Sequence, residues 1–210
     1  MQAEAHNVQQ QVARLVSSTG YTPDELSSNY FHGMHLWLPF ISRDDFHRKL
    51  AMLEPSADFA VLLLAMCLIG LPYGPEALVT RDQRKTMYMR AKRILAQVQC
   101  EAATCDVIRA TTLMALFEYR HRSAEQAIVT LSVAIRMAYN VRLDVVGRLE
   151  RESDGVAAED EAQQENNIWW ALVICERYVS HTLGFTVRLE AKTLTEPDCL
   201  SSRHAHHINH

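Results

Sequence analysis

Asp58-Phe59-Ala60-Val61-Leu62-Leu63-Leu64-Ala65-Met66-Cys67-Leu68-Ile69 carries one charge at its start and none after it. Asp58 is expected to open a helix from Phe59 to Ile69, since an acid suits a helix N-terminus, where unpaired N–H groups present positive potential. A helix apolar on every side has no face to offer water, so it belongs at the centre of a bundle with other helices around it. Pro72, Gly74 and Pro75 follow and make 71–79 a loop.

The neighbours on both sides read as the surrounding helices. Ala3 to Ser18 is polar with a narrow apolar face of Val8, Val12, Leu15 and Val16, and Gly20 ends it. Thr22 stands before Pro23, Asp24 and Glu25, which is an N-cap with proline at the first helical position and acids in the first turn. That helix is expected to run toward Met34 and to stop before Pro39. Ser42 with Asp45 opens a short helix to about Leu53. Thr80 with Gln83 makes a capping box for a helix burying Tyr88, Ala91, Ile94, Leu95 and Val98. Asp106 to Tyr119 places Val107, Thr111, Met114 and Phe117 or Glu118 along one side. Ser123 with Gln126 caps a helix whose Ala127, Ile128, Leu131, Ala134, Ile135 and Ala138 let a neighbour approach closely. Leu149 to Glu161, charged and containing Gly155, reads as an exposed mobile connection. A long helix is expected from about Asp160 to His181, ending at Gly184. No run alternates as a strand does. The fold class is all-α, a multi-helix bundle, divided as 1–20 (N-terminal helix or linker), 21–186 (helical domain) and 187–210 (irregular tail).

Composition narrows the function classes. With 48% hydrophobic and 22% charged residues the 210-residue chain is ordinary for a globular protein. A net charge of −4 gives no overall attraction to a polyanion, so this stretch is not expected to hold DNA strongly by itself. The apolar runs Phe59 to Leu71 and Ile168 to Cys175 are too short to span a bilayer, and no membrane role is expected. Five cysteines are scattered, with Cys67, Cys100 and Cys175 in or beside helical apolar patterns, so a soluble intracellular protein without disulfides is expected.

The candidate chemistry is thin. Cys100 and Cys105 lack the further ligands that structural zinc needs. His204, His206, His207 and His210 lie in the tail with nothing to preorganise them. Arg81, Arg84, Lys85, Arg90, Lys92 and Arg93 make one helix basic, read as a solvated outer face rather than a phosphate-contacting one. Glu118 and Glu176 lie in apolar helices, with Arg120 or His121 the expected partner of the first and Arg177 of the second. The seven glycines form no phosphate-binding loop, and an enzyme is not expected. Trp169 and Trp170 are about 100° apart on a helix, so one fills the core and the other lines a groove, interface or cavity.

Several segments, taken in order, resemble one family. Tyr30-Phe31-His32-Gly33-Met34-His35-Leu36-Trp37-Leu38-Pro39-Phe40-Ile41-Ser42 is similar to the opening of the fungal-specific transcription factor domain. Leu62-Leu63-Leu64-Ala65-Met66, Tyr88-Met89-Arg90-Ala91-Lys92 and Thr112 to Tyr119 resemble its next elements. Ala134 to Leu143, and Trp169-Trp170 with Cys175-Glu176-Arg177-Tyr178, resemble the last ones. Asn166 and Asn167 stand where that family usually has arginines, and Glu176 where it has aspartate.

The resemblance implies a regulatory domain, effector-sensing or dimerising, that controls transcription by RNA polymerase II in the nucleus. A helical interaction scaffold with no ligand or DNA role is the alternative. The resemblance also implies that zinc and DNA contacts belong to a zinc-cluster module absent from this chain, which itself needs no cofactor. A homodimer partner and a small-molecule effector are the expected partners, with an effector groove beside Phe117, Tyr139, Trp169 and Trp170.

Overall fold

The computed structural model describes residues 2–52, 56–75, 77–101, 103–121, 124–145 and 156–183, and every regular element among them is helical. The chain runs α1 (Gln2–Ser17), α2 (Pro23–His32), α3 (Met34–Trp37), α4 (Arg43–Leu50) and α5 (Ala57–Gly70). It continues as α6 (Arg81–Glu101), α7 (Cys105–His121), α8 (Ala124–Asn140) and α9 (Val156–Thr182). The tail 187–210, the Ser123 cap and the Gly184 helix stop lie outside the described residues.

The local signals set most helix starts. Thr22 Oγ1 accepts from the Glu25 amide at 3.2 Å, while the Glu25 carboxylate accepts from the Thr22 amide at 2.7 Å. Thr80 and Gln83 exchange the same pair of bonds at the start of α6. Ser42 caps α4 through the Asp45 amide. At α5 the cap is Ser56, whose hydroxyl accepts from the Phe59 amide at 3.2 Å, and Asp58 falls in the first turn instead of opening the helix.

Packing then overrides three of the local expectations. α2 does not run to Met34, because Gly33 leaves the helical region at φ −115° and ψ −91° and a separate turn, α3, follows. α7 has no single apolar side: every residue from Asp106 to Glu118 is buried, since α5, α6, α8 and α9 all pack on it. The expected mobile connection is helical from Val156 to Glu161, where alanines and acids favour a helix N-terminus; residues 149–155 lie outside the described part.

α5 packs against α1, α2, α6 and α7 and forms the centre. The crossing with α2 is the closest: a Cβ on Gly70 would stand 2.1 Å from the Leu26 carbonyl oxygen. Asn29 Nδ2 donates to the Gly70 carbonyl across the same contact at 3.0 Å. Below it Phe31, Phe46 and Phe59 meet edge-on or tilted at 5.3–5.6 Å between ring centres. α1 buries Val8, Val12, Leu15 and Val16 on α5 and α6, and Ala127, Ala134 and Ala138 bring α8 against α7. Cys67 and Cys175 are buried as apolar groups; Cys100 is exposed, two residues and about 200° past the last buried position of its stripe, Val98.

Candidate functional site

Four cations of the basic helix and its neighbour meet at one place. Loop residues 71–75 and 77–80 lie beside the start of α6 and the end of α7, bounding a cleft of about 710 Å³ lined by Tyr73, Arg84, Tyr88, Phe117, Arg120 and His121. Capping fixes where α6 begins, and the Leu78 amide donates to the Tyr21 hydroxyl at 3.2 Å, which pins the loop to the turn before α2.

Arg84 corrects the reading of α6 as a solvated basic face. It is 7% exposed, and its guanidinium donates to the Leu71 carbonyl at 3.3 Å and the Pro72 carbonyl at 2.6 Å. Its charge lies 3.8 Å from the centre of the Tyr73 ring, a cation–π contact, and Arg120 lies 5.4 Å from the same ring. Arg81 and Lys85 stand exposed at the rim. Asp82 is the carboxylate among the described lining residues, and no described carboxylate pairs with Arg84 or Arg120.

His121 sits in the field of these cations. Tyr73 and His121 share a hydrogen bond of 2.5 Å to Nε2 and stack at 5.0 Å, and Phe117 lies 4.6 Å from the imidazole. Burial first, then the charges of Arg120 and Arg84, push the imidazole down to about 4, so it is neutral near neutral pH. Burial likewise raises the Tyr73 phenol against the opposing pull of both arginines.

Behind the cleft lies a buried ionic knot. Tyr88 stacks on Phe117 at 5.4 Å, and its hydroxyl donates to Glu118 Oε1 at 2.6 Å. Lys92 Nζ donates to the same oxygen at 2.5 Å, and the Thr130 hydroxyl donates to Oε2. The partner of Glu118 is therefore Lys92, not Arg120 or His121: one helical turn past Tyr88 on α6 points inward, whereas Arg120 and His121 turn outward to the cleft. The knot ties α6, α7 and α8 at one carboxylate that is 0% exposed. Glu176 is buried as well, on α9.

A second polar tie holds the other end of α7. Asp106 accepts from Lys49 at 2.8 Å and from Arg109 at 2.9 Å, and Arg109 reaches the Phe40 carbonyl at 3.2 Å and Gln164 at 3.4 Å. A third feature is an apolar groove of about 520 Å³ between α2, α3, α5, α7 and α9, with Trp37 and Tyr178 5.8 Å apart at its edge.

The four residues expected to form one groove occupy three settings. Phe117 is buried in the cationic cleft. Tyr139 and Trp169 meet edge to face at 5.3 Å on α8 and α9, and Trp169 packs partly buried on the core. Trp170 is 49% exposed, as the 100° step between adjacent helical residues requires. Sequence reasoning did not single out Tyr73, and it read Arg84 and Lys92 only as part of a solvated basic face; the signal that separates them is their position four residues before and after the buried Tyr88 on α6. Among the described residues no group of three His, Cys, Asp or Glu side chains is placed to hold a metal ion. No described helix is long and apolar enough to cross a membrane.

Comparison with known proteins places the chain. The family model described as the fungal specific transcription factor domain matches residues 28–197. Transcription factor BOA15 of Botryotinia fuckeliana (strain B05.10) is 30% identical over 118 residues, which is 54% of this chain and 63% of that relative. The match thus spans less than two thirds of the relative's length. No solved structure matches the chain significantly.

Proposed function

Because this chain belongs to the fungal specific transcription factor domain family and is a regulatory domain of a fungal transcription factor, we propose that it works by sensing an effector in the cleft between the 71–80 loop, α6 and α7. The DNA it regulates is reached through a module outside this chain, in the nucleus, and the domain itself catalyses no reaction. One observation carries the reading: Tyr88 lines the cleft with its ring and holds the buried Glu118 with its hydroxyl. A ligand that moves the Tyr88 ring also moves a hydrogen bond on which α6, α7 and α8 converge. Such an arrangement gives a ligand differential contact with two packings of the same helices, which is what coupling between sites requires.

The test is a reporter driven by a heterologous DNA-binding module, alone or fused to this chain. The expected result is that the fused chain changes reporter output and that Tyr88→Phe, which keeps the ring and removes the hydroxyl, alters the size of that change. Equal output from the module alone and from the fusion would contradict a regulatory role.

A dimerising role has its own support. Trp170, Ile174 and Tyr178 recur every fourth residue on α9, and all three are about half exposed. That spacing makes an apolar stripe on one helix face, continued by Trp37, of the kind used between helices. Sedimentation of the chain beside its Ile174→Glu variant decides this reading: a dimer converted to monomer supports it, and a monomer in both removes it.

A further inference from the structure

We propose that the effector of this cleft is a small organic anion, a carboxylate or phosphate ester with an apolar body, held by Arg84 and Arg120 against the Phe117 and Tyr88 side of the pocket. This inference rests on the effector-sensing reading and names its ligand class.

The charge balance comes first. Arg81, Arg84, Lys85 and Arg120 converge on a cleft whose described lining contributes one carboxylate, Asp82. Like charges gathered at a concave surface with low-dielectric walls build a positive potential that an anion relieves. Arg120 and Arg84 add to burial in lowering His121, so the imidazole beside them contributes no further positive charge near neutral pH.

Rigidity comes second. Arg84 is not a loose surface arginine: two backbone carbonyls and the Tyr73 ring hold it in place. A guanidinium fixed before the ligand arrives loses little side-chain freedom on binding, and its planar donors suit carboxylate and phosphate oxygens. Arg120, exposed beside the same ring, supplies the adaptable second cation.

Shape and polarity come third. About 710 Å³ lies in the range of sites for metabolite-sized ligands rather than single ions. Ala77, Val79 and Phe117 make the smaller part of the lining apolar, and an anion with a hydrocarbon body can contact that part where inorganic phosphate cannot.

The experiment is isothermal titration of the whole chain with four probes: 1-naphthoate, 1-naphthyl phosphate, the neutral 1-naphthamide and inorganic phosphate. The expected result is that both naphthyl anions bind, each about tenfold or more tighter than the amide and than phosphate, as one charge-assisted contact allows. Arg120→Gln should weaken the anions about tenfold and leave the amide unchanged, while Arg90→Gln, elsewhere on α6, leaves all four unchanged. Circular dichroism of Arg120→Gln checks that the variant is folded; its side chain is exposed, so the fold does not need it.

Binding of the amide as tight as that of the acid, indifferent to Arg120→Gln, would overturn the anionic class and leave effector sensing standing. No heat with any probe would overturn the inference too, and the reporter fusion would then judge the regulatory reading separately.

Discussion

α5 and α7 are both buried helices at the middle of the bundle, and they are built in opposite ways. α5 is apolar from Phe59 to Ile69 and meets its neighbours mainly through shape, down to the backbone contact at Gly70, where Asn29 adds one hydrogen bond. α7 is as deeply buried but carries Asp106, Arg109, Thr111, Thr112 and Glu118 inside the protein. Thr111 and Thr112 satisfy their hydroxyls on carbonyls one turn back, at 2.7 and 2.8 Å. Asp106 and Glu118, near its two ends, bind side chains of other helices. An apolar helix adapts to its neighbours by repacking; a buried charge fixes which neighbour stands where, because an unpaired ion there is expensive. The contrast makes α5 a scaffold held by close packing and α7 an element whose neighbours are set by particular polar partners.

The largest expected effect breaks the scaffold side. Gly70→Ala forces α2 and α5 apart against the Leu26 carbonyl and should lower stability by about 4 kcal/mol, read from urea unfolding. A loss below about 1 kcal/mol would mean that the crossing is slack and that α5 is not held by shape.

On the other side, Lys92→Met leaves Glu118 without its cation. Removing one member of a buried pair costs about 3–5 kcal/mol, but Lys92 is 42% exposed, so water compensates and about 2 kcal/mol is expected. The double change Lys92→Met with Glu118→Leu should recover part of that loss, whereas Gly70→Ala has no such rescue at position 92. Additive losses would show that the pair is not coupled. Thr130→Val removes one hydrogen bond from the same carboxylate, and a loss of about 1 kcal/mol is expected.

A further effect is a slope with pH. His121 binds its proton less readily folded than unfolded, where histidine titrates near 6.5, and its folded value is about 4. Its contribution is therefore fully present above the unfolded value and is lost as pH falls from there toward 4. His35, also lowered by burial and then by Arg43, acts in the same direction. Unfolding midpoints at pH 7 and pH 5 should differ less in His121→Gln than in the parent chain. Equal differences would mean that neither burial nor the two arginines hold the folded imidazole below its free value.

The scaffold was far more legible in the sequence than the site. α5 could be read because its information is local: an apolar run between two caps has one plausible place in a bundle. The Thr22, Ser42 and Thr80 caps were readable for the same reason, since donor and acceptor are three residues apart. The cap of α5 was misplaced by two residues because Asp58 and Ser56 both suit a helix start, and only geometry shows which oxygen reaches the Phe59 amide.

The partners of Glu118 were not legible. Lys92 and Thr130 lie 26 and 12 positions from Glu118 and on other helices, and nothing in a 3.6-residue period specifies which helix a charge will face. His121 and Arg120, adjacent in sequence, were the plausible but incorrect choice. Phe117 was expected beside Tyr139, Trp169 and Trp170, whereas it lines a cleft with Tyr73 and Arg84. Trp169 and Trp170 show the reverse case: their opposite settings follow from helical geometry alone, and the structure has one packed on the core and one half exposed.

Native-state amide hydrogen exchange tests the division between scaffold and movable end most directly. α5 amides from Val61 to Leu68 should open only with global unfolding, while those of α6 and α8 around Lys92 and Thr130 should open at a lower free energy and respond to Lys92→Met. If α5, α6 and α8 all exchange at one common free energy, and Lys92→Met shifts them equally, the apolar centre and the helices tied at Glu118 do not differ in the way proposed and the regulatory coupling through Glu118 falls with that difference.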